Sequence, residues 1–379
     1  MKVKLCLVLL LICLTLVGCL PSKQIEKLGV ITSRGSDLTE DDEIETTVII
    51  YQFTSKTGRV SKPVSGKGTT IKGALANANL ESNFELVPGK IELELFGMEL
   101  AKKGIFPYLD TLNRDARLPD SMYLAISDPT AKEILTTNEQ NISNNIGEHL
   151  HGLIDENAAD HLLPRVTLQS FLSKYYDIGV DPALPIIEVQ GNVPKIKSIA
   201  ILRDDKYVGE IESKYLLLFQ ILEETVRNKK FELTLPLKPF EKLIRDNNKA
   251  TKNSDELHIA MGLVKSKVKS SLVDKQNRLF QTNLTMDVNL LETSEPIALN
   301  DPKSLSLLEK EIEKRIKNIA NESFAKLQKM DADTFGYGKI YRMHQKDGKL
   351  TDEEWREKYP TIKVDFNVKT TITRHGSTD

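Results

Sequence analysis

Cysteine is almost missing from this chain. There are three among 379 residues, Cys6, Cys13 and Cys19, all at the N-terminal end. Beyond Cys19 there is no sulfur for a thiol nucleophile, a cysteine-based zinc site or a disulfide framework. Aromatic residues are also sparse, at 6% with one Trp, so no large aromatic-lined pocket is advertised. Charge of one sign is lacking too: 52 basic and 54 acidic side chains leave a net −2. A nucleic-acid binder carries a basic stripe or patch, and that class is excluded. So is a protein held on a membrane by basic charge alone. Low-complexity tracts are absent. A bilayer-spanning run is missing as well, since a helical span needs about 20 apolar residues. The apolar run at residues 5–17 is shorter than that and carries Thr15. The apolar stretch at 215–222 is shorter still.

What is present at the N-terminus has a clear form. Lys2 and Lys4 precede the apolar run, which ends in Leu16-Val17-Gly18-Cys19. A short positive end, a short apolar core and a small residue before the cleavage point mark a secretory signal. The final four residues have the form of a bacterial lipobox. Residues 1–18 therefore read as a lipoprotein signal peptide, with Cys19 as the lipidated first residue of the mature chain. Two acyl chains of the palmitate kind, at ~0.8 kcal/mol per buried CH₂, suffice for stable anchoring. Cleavage removes Cys6 and Cys13, and the sulfur of Cys19 is taken by lipid, so the mature chain has no free thiol.

Hydrophobic periodicity organises the rest. Strands are expected at 28–32 and 45–53, with an exposed acidic turn at 37–43. The Ser-, Gly-, Lys- and Thr-rich segment 55–70 reads as a loop. A helix is expected at 71–80, a strand at 90–96, a helix at 99–112 interrupted near Pro107, and a strand at 122–127. Residues 130–177 read as mostly helical, followed by a strand at 184–189 and a hairpin of 196–202 with 207–211. The later part starts with a helix at 213–226, then strands at 231–235, 257–271 and 284–291, with a polar loop at 247–256. Asp301-Pro302 supplies a cap and a first-turn proline. Leu305, Leu308, Ile312, Ile316, Ile319 and Leu327 then form one apolar stripe of a long helix. A strand is expected at 339–343 and an alternating one at 362–372. The fold class is α+β: a multi-domain mixed α/β lipoprotein whose C-terminal antiparallel sheet is packed by the long helix. The expected division is 19–130 with 183–212 as an N-terminal mixed domain, 131–182 as a smaller helical domain and 213–379 as a C-terminal domain.

Three clusters carry residue types capable of chemistry. Glu148, His149, His151, Asp155, Glu156, Asp160 and His161 are dense in titratable groups. They follow no metal-ligand spacing such as H-E-x-x-H, and a solvated helix end is the expected reading. Gly66-Lys67-Gly68-Thr69-Thr70 resembles half of a phosphate-binding loop, but Ser61 stands where the first glycine is required. Asp110, Arg114, Asp115 and Arg117 fit salt bridges better than acid/base work. No nucleophile elbow is present. No catalytic, metal or cofactor residue is therefore assigned, and no cofactor is expected.

Several short motifs, in one order across the mature chain, resemble the C subunits of spore germinant receptors, the Ger(x)C lipoprotein family. Gly97, Glu99, Leu100, Ala101 and Gly104 follow the pattern G-x-E-L-A-x-x-G after a strand. Leu109-Asp110, Arg114-Asp115 and Ala131-Lys132-Glu133-Ile134-Leu135 follow in sequence, as does the hairpin region 201–209. Asp333 to Gly338 resembles D-x-x-G-F-G with Tyr337 in place of Phe, and Trp355 and Tyr359-Pro360 precede the last strand. The resemblance implies a lipid-anchored subunit without enzymatic activity, on the extracytoplasmic face of the spore inner membrane. It implies assembly with an A-type subunit and a B-type, permease-like subunit in a nutrient receptor that starts germination. The alternative from the residues alone is a lipid-anchored solute-binding protein of a membrane transporter. Such proteins usually show two α/β lobes, which the late antiparallel pattern and single long helix disfavour.

Overall fold

The computed structural model describes residues 27–52, 61–137, 145–244, 255–299 and 301–374. The leader, Cys19, residues 53–60 and 247–254 of the two expected loops, and the C-terminal residues from 375 lie outside the described residues.

The first sheet has nine strands among the described residues. Strands β1 (Leu28–Leu38), β2 (Ile44–Gln52) and β3 (Ser61–Gly68) are antiparallel neighbours. On its other side β1 pairs in parallel with β4 (Glu85–Val87) and β5 (Leu93–Gly97). The parallel run continues through β6 (Tyr123–Asp128) and β7 (Ala183–Gln190), and the hairpin of β8 (Val193–Arg203) and β9 (Lys206–Glu212) closes the sheet antiparallel. Helices α1 (Ile71–Leu80), α2 (Met98–Lys103), α3 (Phe106–Asn113), α4 (Ala131–Leu135), α5 (Ile146–Ala159) and α6 (Leu168–Tyr175) cover it. Helices α1, α2, α3 and α6 pack with Ile31, Val48, Ile50, Phe96 and Leu124 on one face. Helices α4 and α5 pack with Ile49, Leu93, Leu95 and Ala125 on the other. A parallel sheet covered on both faces explains why the central strands read as continuous apolar runs.

Helix α7 (Leu216–Glu223) leads into a second sheet of β10 (Arg227–Pro236), β11 (Glu256–Asp274), β12 (Leu279–Thr293) and β13 (Lys363–Arg374). Helix α8 (Pro302–Lys329) lies on it and buries Leu308, Ile312, Ile316, Ile319 and Leu327. Asp301 caps this helix, its Oδ1 accepting from the amides of Lys303 at 2.8 Å and Ser304 at 3.0 Å. Two short helices, α9 (Tyr337–Met343) and α10 (Asp352–Lys358), complete the connection to β13. This α+β arrangement, a sheet with one long helix on it, agrees with the expected class. One pairing differs: β13 runs parallel to β12, because a crossover through α8 returns the chain to the end of the sheet where β12 began.

Other differences have local causes. The expected loop at 55–70 contains β3, whose glycines serve packing: a Cβ on Gly66 would lie 2.4 Å from the Ala74 carbonyl oxygen of α1. The first strand runs past residue 32 to Leu38, and Arg34, Ser36 and Asp37 are buried in it. The helix expected at 99–112 breaks at Gly104, at φ +122°, and Pro107 starts the next helix instead of interrupting one. A proline is tolerated there because first-turn amides have no intrahelical acceptor. The strand expected at 339–343 is the helix α9, for a reason given below. The helix expected at 213–226 is a 3₁₀ turn followed by the shorter α7, and 224–226 have left the helix.

Ile312 is fully buried between α8 and the second sheet. Ile312→Asp places an unpaired charge there, at a cost of at least about 3 kcal/mol, against a whole-domain stability of ~5–15 kcal/mol. Thermal unfolding followed by near-ultraviolet circular dichroism is expected to show loss of the cooperative transition of this half. An unchanged midpoint would show that the stripe is not core.

Candidate functional site

The two sheets meet at a buried polar joint. Its centre is Asp333, fully buried in the segment between α8 and α9. Its Oδ1 accepts from the Tyr337 amide at 3.0 Å, and its Oδ2 from the Gly338 amide at 2.7 Å and from the Trp355 indole at 3.1 Å. The carboxylate thus takes up amides that begin α9, and this is why 337–343 is helix and not strand. Gly336 sits at φ +73°, where a side chain would be strained. Gly338 makes room: a Cβ there would lie 2.4 Å from Gly179 and 2.7 Å from the Trp355 ring. Tyr337 is buried, and its hydroxyl shares a 2.8 Å hydrogen bond with Thr282 in the sheet. Tyrosine is therefore accommodated where the family pattern has phenylalanine, because the hydroxyl finds a partner in the core.

From the first sheet comes Asp181, just before β7 and 1% exposed. Its backbone amide donates to the Asp333 carbonyl at 2.9 Å, and its Oδ2 accepts from the Asp333 amide at 2.6 Å. Arg356 of α10 closes the joint. Its Nη1 donates to Asp181 Oδ2 at 2.6 Å, its Nη2 to Asp181 Oδ1 at 2.7 Å and to Asp204 Oδ1 at 2.7 Å. Asp204 lies in the β8–β9 turn, and its amide donates to Asp181 Oδ1 at 2.9 Å. A forked, two-bond guanidinium–carboxylate pair is geometrically specific as well as strong. Burial works against the Arg356 charge, but Asp181, Asp204 and Asp352 outweigh it and hold the side chain above its ordinary range. Burial pushes the Asp333 carboxyl up to about 7, opposed by the amides of Gly338 and Tyr337.

Glycines elsewhere in the motifs play the same kind of part. A Cβ on Gly97 would lie 2.0 Å from Asp37 Oδ1. That approach lets Asp37 accept from the Ala131 amide at 2.7 Å and the Lys132 amide at 2.9 Å, at the start of α4. Gly104 gives way to Asp205, whose Oδ2 accepts from the Phe106 amide at 2.9 Å at the start of α3. Gly97 and Gly104 thus each clear space for an aspartate that caps a helix.

The clusters singled out in the sequence are placed differently. Asp155 accepts from the Tyr123 hydroxyl at 2.6 Å, His161 faces Glu224 at 3.1 Å, and Asp160 pairs with Lys229 at 2.5 Å. Among the described residues no group of three or more His, Cys, Asp or Glu side chains is placed to hold a metal. Thr70 caps α1 by accepting from the Gly73 amide at 3.0 Å, so the 66–70 segment shapes a strand–helix corner and not a phosphate cradle. Arg114 pairs with Asp110 at 2.9 Å and Arg117 with Asp115 at 2.7 Å. The Arg117 contact holds the Asp115 carboxyl down at about 2. Cys19, the expected lipidation residue, lies outside the described residues. Sequence reasoning passed over Asp181, Asp204, Arg356 and the buried pair of Arg34 and Glu94. Only Asp181-Pro182 carries a local signal, that of a turn.

What these elements define is a two-sheet α/β chain with a buried polar joint between the sheets, built around the motif residues Asp333, Gly338 and Trp355. No helix among the described residues is long and apolar enough to cross a membrane. Residues 21–189 match the family described as spore germination protein N-terminal domain, and residues 197–376 match spore germination B3/GerAC-like, C-terminal. The chain belongs to this GerAC-like family of spore germination proteins. It is 23% identical to spore germination protein GerQC of Bacillus cereus, over 98% of each chain. It is 24% identical to spore germination protein KC of Bacillus subtilis strain 168, over 99% of this chain and 96% of that one. The crystal structure of the GerBC protein shares the fold, with a TM-score of 0.53 at 17% identity over 92% of this chain and all of the other.

Asp333→Asn keeps the shape but turns one acceptor into a donor facing amides, and is expected to cost about 1–3 kcal/mol. Gly336→Val adds backbone strain of about 1–2 kcal/mol. Both should lower the unfolding midpoint and protein abundance together with germination. A variant of normal stability and abundance that no longer germinates would make this turn a signalling element instead of a structural one.

Proposed function

We propose that this chain is the lipid-anchored subunit of a nutrient germinant receptor, on the extracytoplasmic face of the spore inner membrane, where it serves assembly and signalling and not catalysis. The observation that carries the reading is the match of both halves of the chain to spore germination families. The lipobox ending at Cys19 supports the anchor. Residues 20–27 separate Cys19 from β1, about 28 Å at full extension. That tether holds the first sheet beside the bilayer and raises the effective concentration for membrane partners without a large interface. The partners in this reading are an A-type subunit and a B-type, permease-like subunit. The joint supports an assembly role, because it makes the two sheets one rigid platform. We further propose that the chain divides near Glu212, with the first sheet and its helices proximal to the anchor and residues 213–379 distal. Within the proximal part, segment 131–182 supplies helices to both faces of the sheet.

Affinity isolation of the detergent-solubilised chain from spores tests the reading. Co-purification of an A-type and a permease-like subunit is the expected result, and recovery with an ATP-driven transporter would replace it with the solute-binding alternative. Cys19→Ser offers no thioether, so the precursor should stay uncleaved or leave the membrane fraction. Fatty-acid labelling that persists in Cys19→Ser would refute the anchor.

A further inference from the structure

Arg34 is a cation buried at the centre of the first sheet. It stands on β1 at 3% exposure, on the face that α1 and α3 cover. Its Nε donates to Glu94 of the adjacent β5, at 3.1 and 2.8 Å to the two oxygens. Its Nη2 is buried and has no hydrogen-bond partner among the described residues. A buried guanidinium N–H without an acceptor is costly, and the great majority of such groups are satisfied.

Directly over Arg34 lies a 390 Å³ cavity between α1, β4 and the end of α3. That volume falls in the ~300–1,000 Å³ range of small-molecule sites. Arg34 lines it together with apolar side chains that include Leu75, Ala76, Leu86 and Leu118. The charged groups around it are Lys72 of α1, Glu85 of β4, and Asp115 and Arg117 after α3. Lys72 and Arg117 both face Asp115, at 4.0 and 2.7 Å, so the cations at the rim are already partly matched. The Arg34 guanidinium, with Nη2 unpaired among the described residues, stands at the sheet side of a chamber lined by both apolar and polar side chains.

We propose that this cavity binds a small organic monocarboxylate, its carboxyl group seated on Arg34 and its hydrocarbon body against Leu75, Ala76, Leu86 and Leu118. A carboxylate oxygen at the guanidinium accepts a charge-assisted hydrogen bond from a donor that Glu94, bonded to Nε, leaves unused. One negative charge is the limit, because Glu94 already occupies the other edge of the guanidinium and a dianion would sit against it. Burial pushes the Glu94 carboxyl up to about 7, with Arg34 opposing, so proton uptake at Glu94 can balance an incoming anion. The site is separate from the joint between the sheets and does not rest on the identity of the membrane partners.

The test uses the full lipoprotein purified in detergent, with butyrate, butyramide and inorganic phosphate as probes, read by saturation-transfer nuclear magnetic resonance and titration calorimetry. Saturable binding of butyrate is expected, with butyramide at least ten-fold weaker. Arg34→Lys, which loses the forked geometry, should weaken butyrate at least ten-fold. Because that change disturbs the pair with Glu94, Ala76→Trp serves as the second variant. It fills the chamber from α1, leaves Arg34 and Glu94 in place, and should abolish binding with the unfolding midpoint unchanged. No saturable butyrate binding, equal binding of butyramide, tighter binding of phosphate, or butyrate binding that survives Ala76→Trp would each overturn the proposal.

Discussion

The contact between Arg356 and Asp181 is the constraint on which the arrangement of this protein rests. It joins the last short helix of one sheet's connection to the loop that enters the other sheet. A buried guanidinium and carboxylate repay their desolvation only when the geometry is good and the remaining donors and acceptors are satisfied. Here the neighbours meet most of that condition, although Arg356 Nε is buried without a hydrogen-bond partner among the described residues and faces Asp352 at 3.4 Å. Asp204 takes part of the guanidinium, the Asp333 and Asp204 amides take the outer positions on Asp181, and Asp333 is itself filled by two amides and an indole. The bonds of the joint that cross between the two sheets join residues 152 or more positions apart along the chain. The two sheets therefore cannot rotate against each other without stranding several buried charges at once.

That rigidity supports the assembly role proposed for the chain. The aromatic shell around the joint points the same way. Tyr337 meets Phe280 and Phe324 edge-on, and Trp355 packs with Tyr341 and Tyr359. The few aromatic residues of the chain are thus spent in good part on the interior of the second half. The hydroxyl of Tyr359 donates to the Ala332 carbonyl at 2.9 Å, which ties the end of α10 to the segment that carries Asp333.

Glycine does comparable work in the first half. Gly66 admits α1 onto the β-sheet, Gly97 admits Asp37, and Gly104 admits Asp205. In each case the missing side chain is what lets a backbone or a capping carboxylate approach. A glycine in a sequence signals such an approach without saying what approaches. This is why the 66–70 segment looked like a loop, and why its role as a close strand–helix contact emerged only from the fold. The strand expected at 28–32 stops short of Leu38 for the converse reason. Polar side chains inside a strand resemble a turn until their partners, Glu94 and the amides of α4, are brought beside them.

The sequence by itself determined the apolar stripe and cap of α8, the alternating strands β2 and β13, and the hairpin of β8 and β9. Each is written in neighbouring residues, at periods of 3.6 or 2 or in a contiguous motif, so no distant partner is needed to read it. It also showed, through the order of its motifs, that Gly97, Gly104 and Asp333 belong to one family pattern. The tertiary structure alone decided that Asp333 starts α9, that β13 runs parallel to β12, and that Asp181, Asp204 and Arg356 meet. It alone placed Arg34 beneath a cavity. A buried polar group is legible only with its partner, and these partners are set by the packing of whole layers, not by spacing along the chain.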